Sequence, residues 1–191
     1  MHVFARRFLR VIFAITCVQP ALAMSQISPP SNRCANEQTR QFDFWIGDWD
    51  VFDKDGSLAG TNVISPVYGG CVLHESWKAA GMQGQSFNRY DTARGTWHQT
   101  WVDSTGGLLI IEGVFLNGAM TLSDASLPGK KDPKKINEIA WTTLADGAVR
   151  QHWRASADGG ATWTTVFDGK YVRAKRPQPK FVREGVVAIP K

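Results

Sequence analysis

Three stretches of the chain set polar side chains at the spacing of tryptophans. In WHQTWVD, residues 97–103, a period of two places Trp97, Gln99, Trp101 and Asp103 on one face, with His98, Thr100 and Val102 on the other. The same reading of 71–79 groups Cys71, Leu73, Glu75 and Trp77 against Val72, His74, Ser76 and Lys78. In 148–155 it groups Val149, Gln151, Trp153 and Ala155 against Arg150, His152 and Arg154. Lysine and arginine are rarely buried unpaired, so the tryptophan faces are expected inside. Glu75, Gln99, Asp103 and Gln151 then point inward, where a dry core penalises them unless they are hydrogen-bonded. A ligand pocket and a self-satisfied structural network both answer that constraint.

The inward carboxylates Glu75 and Asp103 are the available acid and base for a hydrolase or isomerase, because burial can raise a carboxyl pKa towards neutrality. The chain has no G-x-S-x-G elbow, P-loop or G-x-G-x-x-G. Enzymatic activity is left open, with the balance against it. His74, His98 and His152 share a strand face and could together offer three nitrogens to a metal. They lack the H-E-x-x-H spacing, and Lys78, Arg150 and Arg154 beside them would oppose a cation. No cofactor is implied.

These residues need strands to position them. Runs with alternation occupy 49–54, 60–67, 71–79, 84–91, 96–103, 107–112, 118–123, 136–143, 148–155 and 161–173, separated by turn signals such as DKDG, DTARG, STGG and ADGG. The gaps are mostly of hairpin length, so neighbours should be antiparallel. QFDFWI at 41–46 suggests one helical turn. About ten short strands with one apolar face need two packed sheets or closure, and the meander-like order favours a single antiparallel β-barrel, wide enough to hold ligand or water.

Around the barrel domain, assigned to 42–173, the chain divides further. Residues 1–23 read as a signal peptide, with Arg6, Arg7 and Arg10, an apolar run at 11–18 and ALA at 21–23. Removing it takes three arginines from 22 basic residues, leaving 19 against 17 acidic ones, a net of +2. An exported, periplasmic or extracellular protein is expected, and in that setting Cys34 and Cys71 can form a disulfide. A polar lead-in covers 24–41. The basic, proline-containing tail at 174–191 offers little to bury, so order should end near Arg173. Export and the modest charge argue against nucleic acid. KRPQPK at 175–180 could touch an anionic envelope surface weakly. Oligomeric state is not specified.

The segment FDFWIGDWDVF places Gly47-Asp48-Trp49 at the start of the first strand and resembles the G-x-W signature of the calycin superfamily, the lipocalins and fatty-acid-binding proteins. With GGCVLHESW, SFNRYD, GTWHQTWVDSTGG and GGATWTTVFDGKY, the span 42–171 resembles a family of small exported bacterial proteins thought to form calycin-like barrels. That resemblance implies a fold and carries no catalytic residues. SADGGATW, residues 156–163, resembles an Asp-box hairpin, with Asp158 as turn cap. The expectation is an exported barrel binding a small apolar or amphipathic molecule through Glu75, Trp77, Gln99, Trp101, Asp103, Gln151 and Trp153. The alternatives are a structural, envelope-associated protein without ligand, and a hydrolase or isomerase using Glu75 and Asp103.

Overall fold

The computed structural model describes residues 34–177. The expected signal segment and most of the basic tail lie outside the described residues. Ten strands follow in chain order: β1 (Gly47–Phe52), β2 (Leu58–Val67), β3 (Val72–Ala79), β4 (Met82–Asp91), β5 (Thr96–Asp103), β6 (Leu108–Leu116), β7 (Ala119–Ser123), β8 (Ile136–Thr143), β9 (Val149–Ser156) and β10 (Thr164–Arg173). Each pairs antiparallel with its neighbour in sequence, and β1 also pairs with β10, closing one barrel. The expected strands 96–103 and 136–143 coincide with β5 and β8, and the others shift by one to four residues at an end. The largest shift is in β6, expected to end at 112, just before Gly113. The strand instead runs through it, because a Cβ there would lie 2.1 Å from the Thr121 carbonyl oxygen, so glycine allows β7 to approach.

One end of the barrel is plugged by the segment that enters it. The helical turn expected at 41–46 is the 3-10 turn Asp43–Trp45, and a second one, Gln38–Arg40, precedes it. Phe42 stacks on Trp45 with centroids 4.8 Å apart and meets the edges of Trp97 and Trp141 at 5.6 and 5.2 Å. Trp49 is fully buried, and its indole N–H donates to the Trp45 carbonyl at 2.9 Å. The Arg173 guanidinium lies 3.8 Å from the Trp49 ring centroid and donates to the Ile46 carbonyl at 2.7 Å. A Cβ on Gly47 would sit 1.7 Å from Arg173 Nη1, which gives the Gly-x-Trp spacing its steric reason. Truncating a plug aromatic to alanine would cost about 3–5 kcal/mol.

Strand direction then fixes the two ends. β1 runs away from the plug, so the β2–β3, β4–β5, β6–β7 and β8–β9 connections lie at the plugged end and the other hairpins at the far end. The disulfide joins Cys34 to Cys71, 37 residues apart, with Cα atoms 4.9 Å apart, and fastens the lead-in to the β2–β3 connection. In the loop-entropy account such a closure contributes about 4 kcal/mol. The chain also stays attached just beyond Arg173. Ala174 donates to the Asp48 carbonyl at 3.0 Å, and Arg176 binds the carboxylates of both Asp48 and Asp50. Two acidic side chains at the start of β1 thus extend the ordered chain to Arg176.

Candidate functional site

Above the plug, the inward positions at mid-barrel are polar. The β3–β4 register sets Glu75 opposite Ser86, and the β4–β5 register sets Asn88 opposite Gln99. Asn62 on β2 donates to Glu75 Oε1 at 2.7 Å, and Ser86 donates to Glu75 Oε2 at 2.6 Å. Asn88 donates to Ser86 Oγ at 2.8 Å, and Gln99 donates to Asn88 Oδ1 at 2.6 Å. On the other side of Glu75, Tyr171 accepts from Asn62 at 3.3 Å and donates to Gln151. Glu75 is only 4% exposed. Loss of hydration pushes its carboxyl pKa above the ordinary value, against the opposing hydrogen bonds from Ser86 and Asn62. The Tyr171 phenol is pushed well above its ordinary value, first by burial and then by Glu75.

Beyond this layer stands a collar of aromatic rings packed over glycines, on the adjoining strand for Trp77 and Trp101 and on the same strand for Phe167. A Cβ on Gly60 would come 2.8 Å from Trp77, one on Gly84 2.2 Å from Trp101, and one on Gly169 2.5 Å from Phe167. The rings therefore lie against the barrel wall, over backbone with no side chain, instead of filling the lumen. They leave a cavity of about 250 Å³ whose floor includes Glu75, Gln99, Gln151 and Tyr171, and whose wall includes Trp77, Trp101, Trp141 and Trp153. At about 30 Å³ per water, that is room for about eight waters. Val166, half exposed, also lines it, so the cavity reaches the surface. The indole N–H groups of Trp45, Trp77 and Trp141 and the Asn62 Oδ1 are buried with no hydrogen-bond partner among the described residues.

Six residues singled out from sequence, Glu75, Trp77, Gln99, Trp101, Gln151 and Trp153, meet around this one cavity. Asp103 does not. It accepts from Thr105 Oγ1 at 2.5 Å, Thr105 N at 2.8 Å, Trp101 Nε1 at 3.0 Å and Gly107 N at 3.1 Å, capping the β5–β6 turn. These donors, Thr105 foremost, hold its pKa down to about 2. The expected Glu75–Asp103 acid and base pair is therefore not assembled, because Asp103 stands at the strand end and is captured by its own turn.

The three histidines do not converge either. His74 bonds Gln85 at 3.0 Å, His98 bonds Glu112 at 2.8 Å, and His152 bonds Thr165 at 3.1 Å, each on the outer face. Among the described residues no group of three or more His, Cys, Asp or Glu side chains is placed to hold a metal. Asp158 caps the 156–163 hairpin as the Asp-box resemblance implies, accepting from Thr162 N at 2.9 Å and Ser156 Oγ at 2.7 Å.

Sequence reasoning passed over Tyr171 and Trp141, though period two in β8 and β10 aims both inward. It also missed Asn62, Ser86 and Asn88, since a polar strand face flanked by no tryptophan gives no inward signal. No protein-family model and no curated protein matches the chain.

Proposed function

We propose that the barrel binds a small, mainly apolar molecule carrying a polar group, in the cavity between the polar layer and the aromatic collar. The observation that carries this reading is a cavity of about 250 Å³ that brings Glu75, Gln99 and Gln151 together with Trp77, Trp101, Trp141 and Trp153. Concave, largely apolar lining with a few convergent polar groups is the ordinary composition of a small-molecule site. We place the protein outside the cytoplasm, on the Cys34–Cys71 disulfide and the leader-like residues 1–23.

A second reading, a structural barrel without ligand, draws on the continuous chain of bonds from Glu75 through Ser86 and Asn88 to Gln99. Native mass spectrometry of gently purified protein separates the two. The binding reading expects a co-purified small molecule, retained less by Gln151→Leu than by the outer-face variant Lys78→Ala. A bare native mass, with tryptophan fluorescence unchanged by a broad panel of lipophiles, would favour the structural reading.

A further inference from the structure

We infer, on the premise that the cavity is a binding site, that its ligand is a small organic cation, an ammonium group on an apolar body, with Glu75 as counter-ion and the tryptophan faces as its cage. The first ground is charge. Among the described residues lining the cavity there is one carboxyl group, Glu75, and no lysine, arginine or histidine. Its hydrogen-bond partners, Asn62 from β2 and Ser86 from β4, are neutral. The other titratable groups near it are the Tyr171 phenol from β10 and, on its own strand, His74, which faces outward and bonds Gln85. A carboxyl group buried this far without a cation is costly to ionise. A bound ammonium would supply the missing charge, a bound carboxylate would add a second negative charge beside it, and a neutral ligand would leave it as it is.

The second ground is the aromatic lining and does not depend on Glu75. Trp77 and Trp101, packed over Gly60 and Gly84, both line the cavity. An aromatic face carries the negative end of the ring quadrupole and attracts cations, tryptophan most strongly. Trp153, Trp141 and Phe167 complete the enclosure.

Binding would then move one proton. In the empty site burial favours the neutral carboxyl form of Glu75. When the ammonium enters, the Glu75 O–H bond breaks, its proton passes to solvent, and the carboxylate pairs with an ammonium that keeps all its own protons. Below the empty-site pKa of Glu75, affinity should rise up to tenfold per pH unit, levelling off above it.

The test uses three probes of one size on the full folded chain: 2-phenylethylammonium, 2-phenylethanol and phenylacetate. Affinities are read from tryptophan fluorescence and calorimetry between pH 5 and pH 9. At pH 8 the ammonium should bind at least tenfold tighter than the alcohol, and phenylacetate should bind weakest. Calorimetry at low pH in buffers of different ionisation enthalpy should show release of up to one proton with the ammonium and none with the alcohol. Glu75→Gln should abolish the ammonium's advantage over the alcohol and its pH dependence. The wild-type ranking and proton release keep the test decisive if that variant does not fold. Equal or tighter binding of the alcohol or phenylacetate by wild type would overturn the cation assignment and leave the binding site standing. Undiminished ammonium binding by folded Glu75→Gln would do the same. If none of the probes bound and the native mass were bare, both would fall.

Discussion

Glu75 concentrates the argument at the scale of single residues. Its carboxyl is held by two neutral donors and is 4% exposed, and no lysine, arginine or histidine stands among the described residues that line the cavity. The sign of its pH effect follows from that. Its folded pKa lies above the unfolded value of about 4.5, so between those values the unfolded chain loses a proton that the folded chain keeps. Stability therefore falls as pH rises through that window. Glu75→Gln removes this dependence. It should gain stability relative to wild type, on the order of 1 kcal/mol, between pH 4 and pH 8, as read from urea unfolding at the two values. An identical difference between variant and wild type at both values would mean that Glu75 is not held protonated by the fold. Asp103 shows the opposite case, a carboxylate whose donors depress its pKa to about 2, and its contribution is lost only in acid, from about 3.8 downward. From sequence the two looked alike, since both share a face with tryptophan. The difference lay in position along the strand. Glu75 is in the middle of β3, whereas Asp103 ends β5 and starts the STGG turn, a legible signal that face parity alone ignores.

At the scale of elements, strand parity and turn chemistry made the barrel readable. Alternation put Trp77, Trp97 and Glu75 inside and Lys78 and Val102 outside, as the structure has them. The cavity was less readable, because its size is set between strands. Trp101 belongs to β5 and the glycine that accepts its ring, Gly84, belongs to β4. That pairing depends on register, which a single strand's sequence does not contain. Gly60 on β2 with Trp77 on β3 repeats the device. Gly84→Val should therefore drive the Trp101 ring off the wall and into the lumen. The expected outcome is at least tenfold weaker binding of 2-phenylethanol, with a stability cost of about 1–3 kcal/mol for overpacking. Binding by Gly84→Val as tight as that of wild type would show that Trp101 does not bound the site.

For the whole molecule, the two ends of the barrel divide the work. The plugged end collects Phe42, Trp45 and Trp49, the Cys34–Cys71 disulfide and the Arg176 clasp on Asp48 and Asp50, so most fastenings of the chain termini lie there. The far end has hairpins, the aromatic collar and a lumen that reaches the surface at Val166. A rigid closed base with an open mouth is an arrangement suited to holding a ligand without unfolding the sheet. The most direct measurement of that claim is a crystal structure of protein purified gently from its native host. The expected result is electron density for one continuous small molecule between Trp77, Trp101 and Trp153, with a polar atom within hydrogen-bond distance of Glu75, Gln99 or Gln151. A lumen filled by its own side chains, or holding only separate waters that satisfy Trp77 and Trp141, would contradict it.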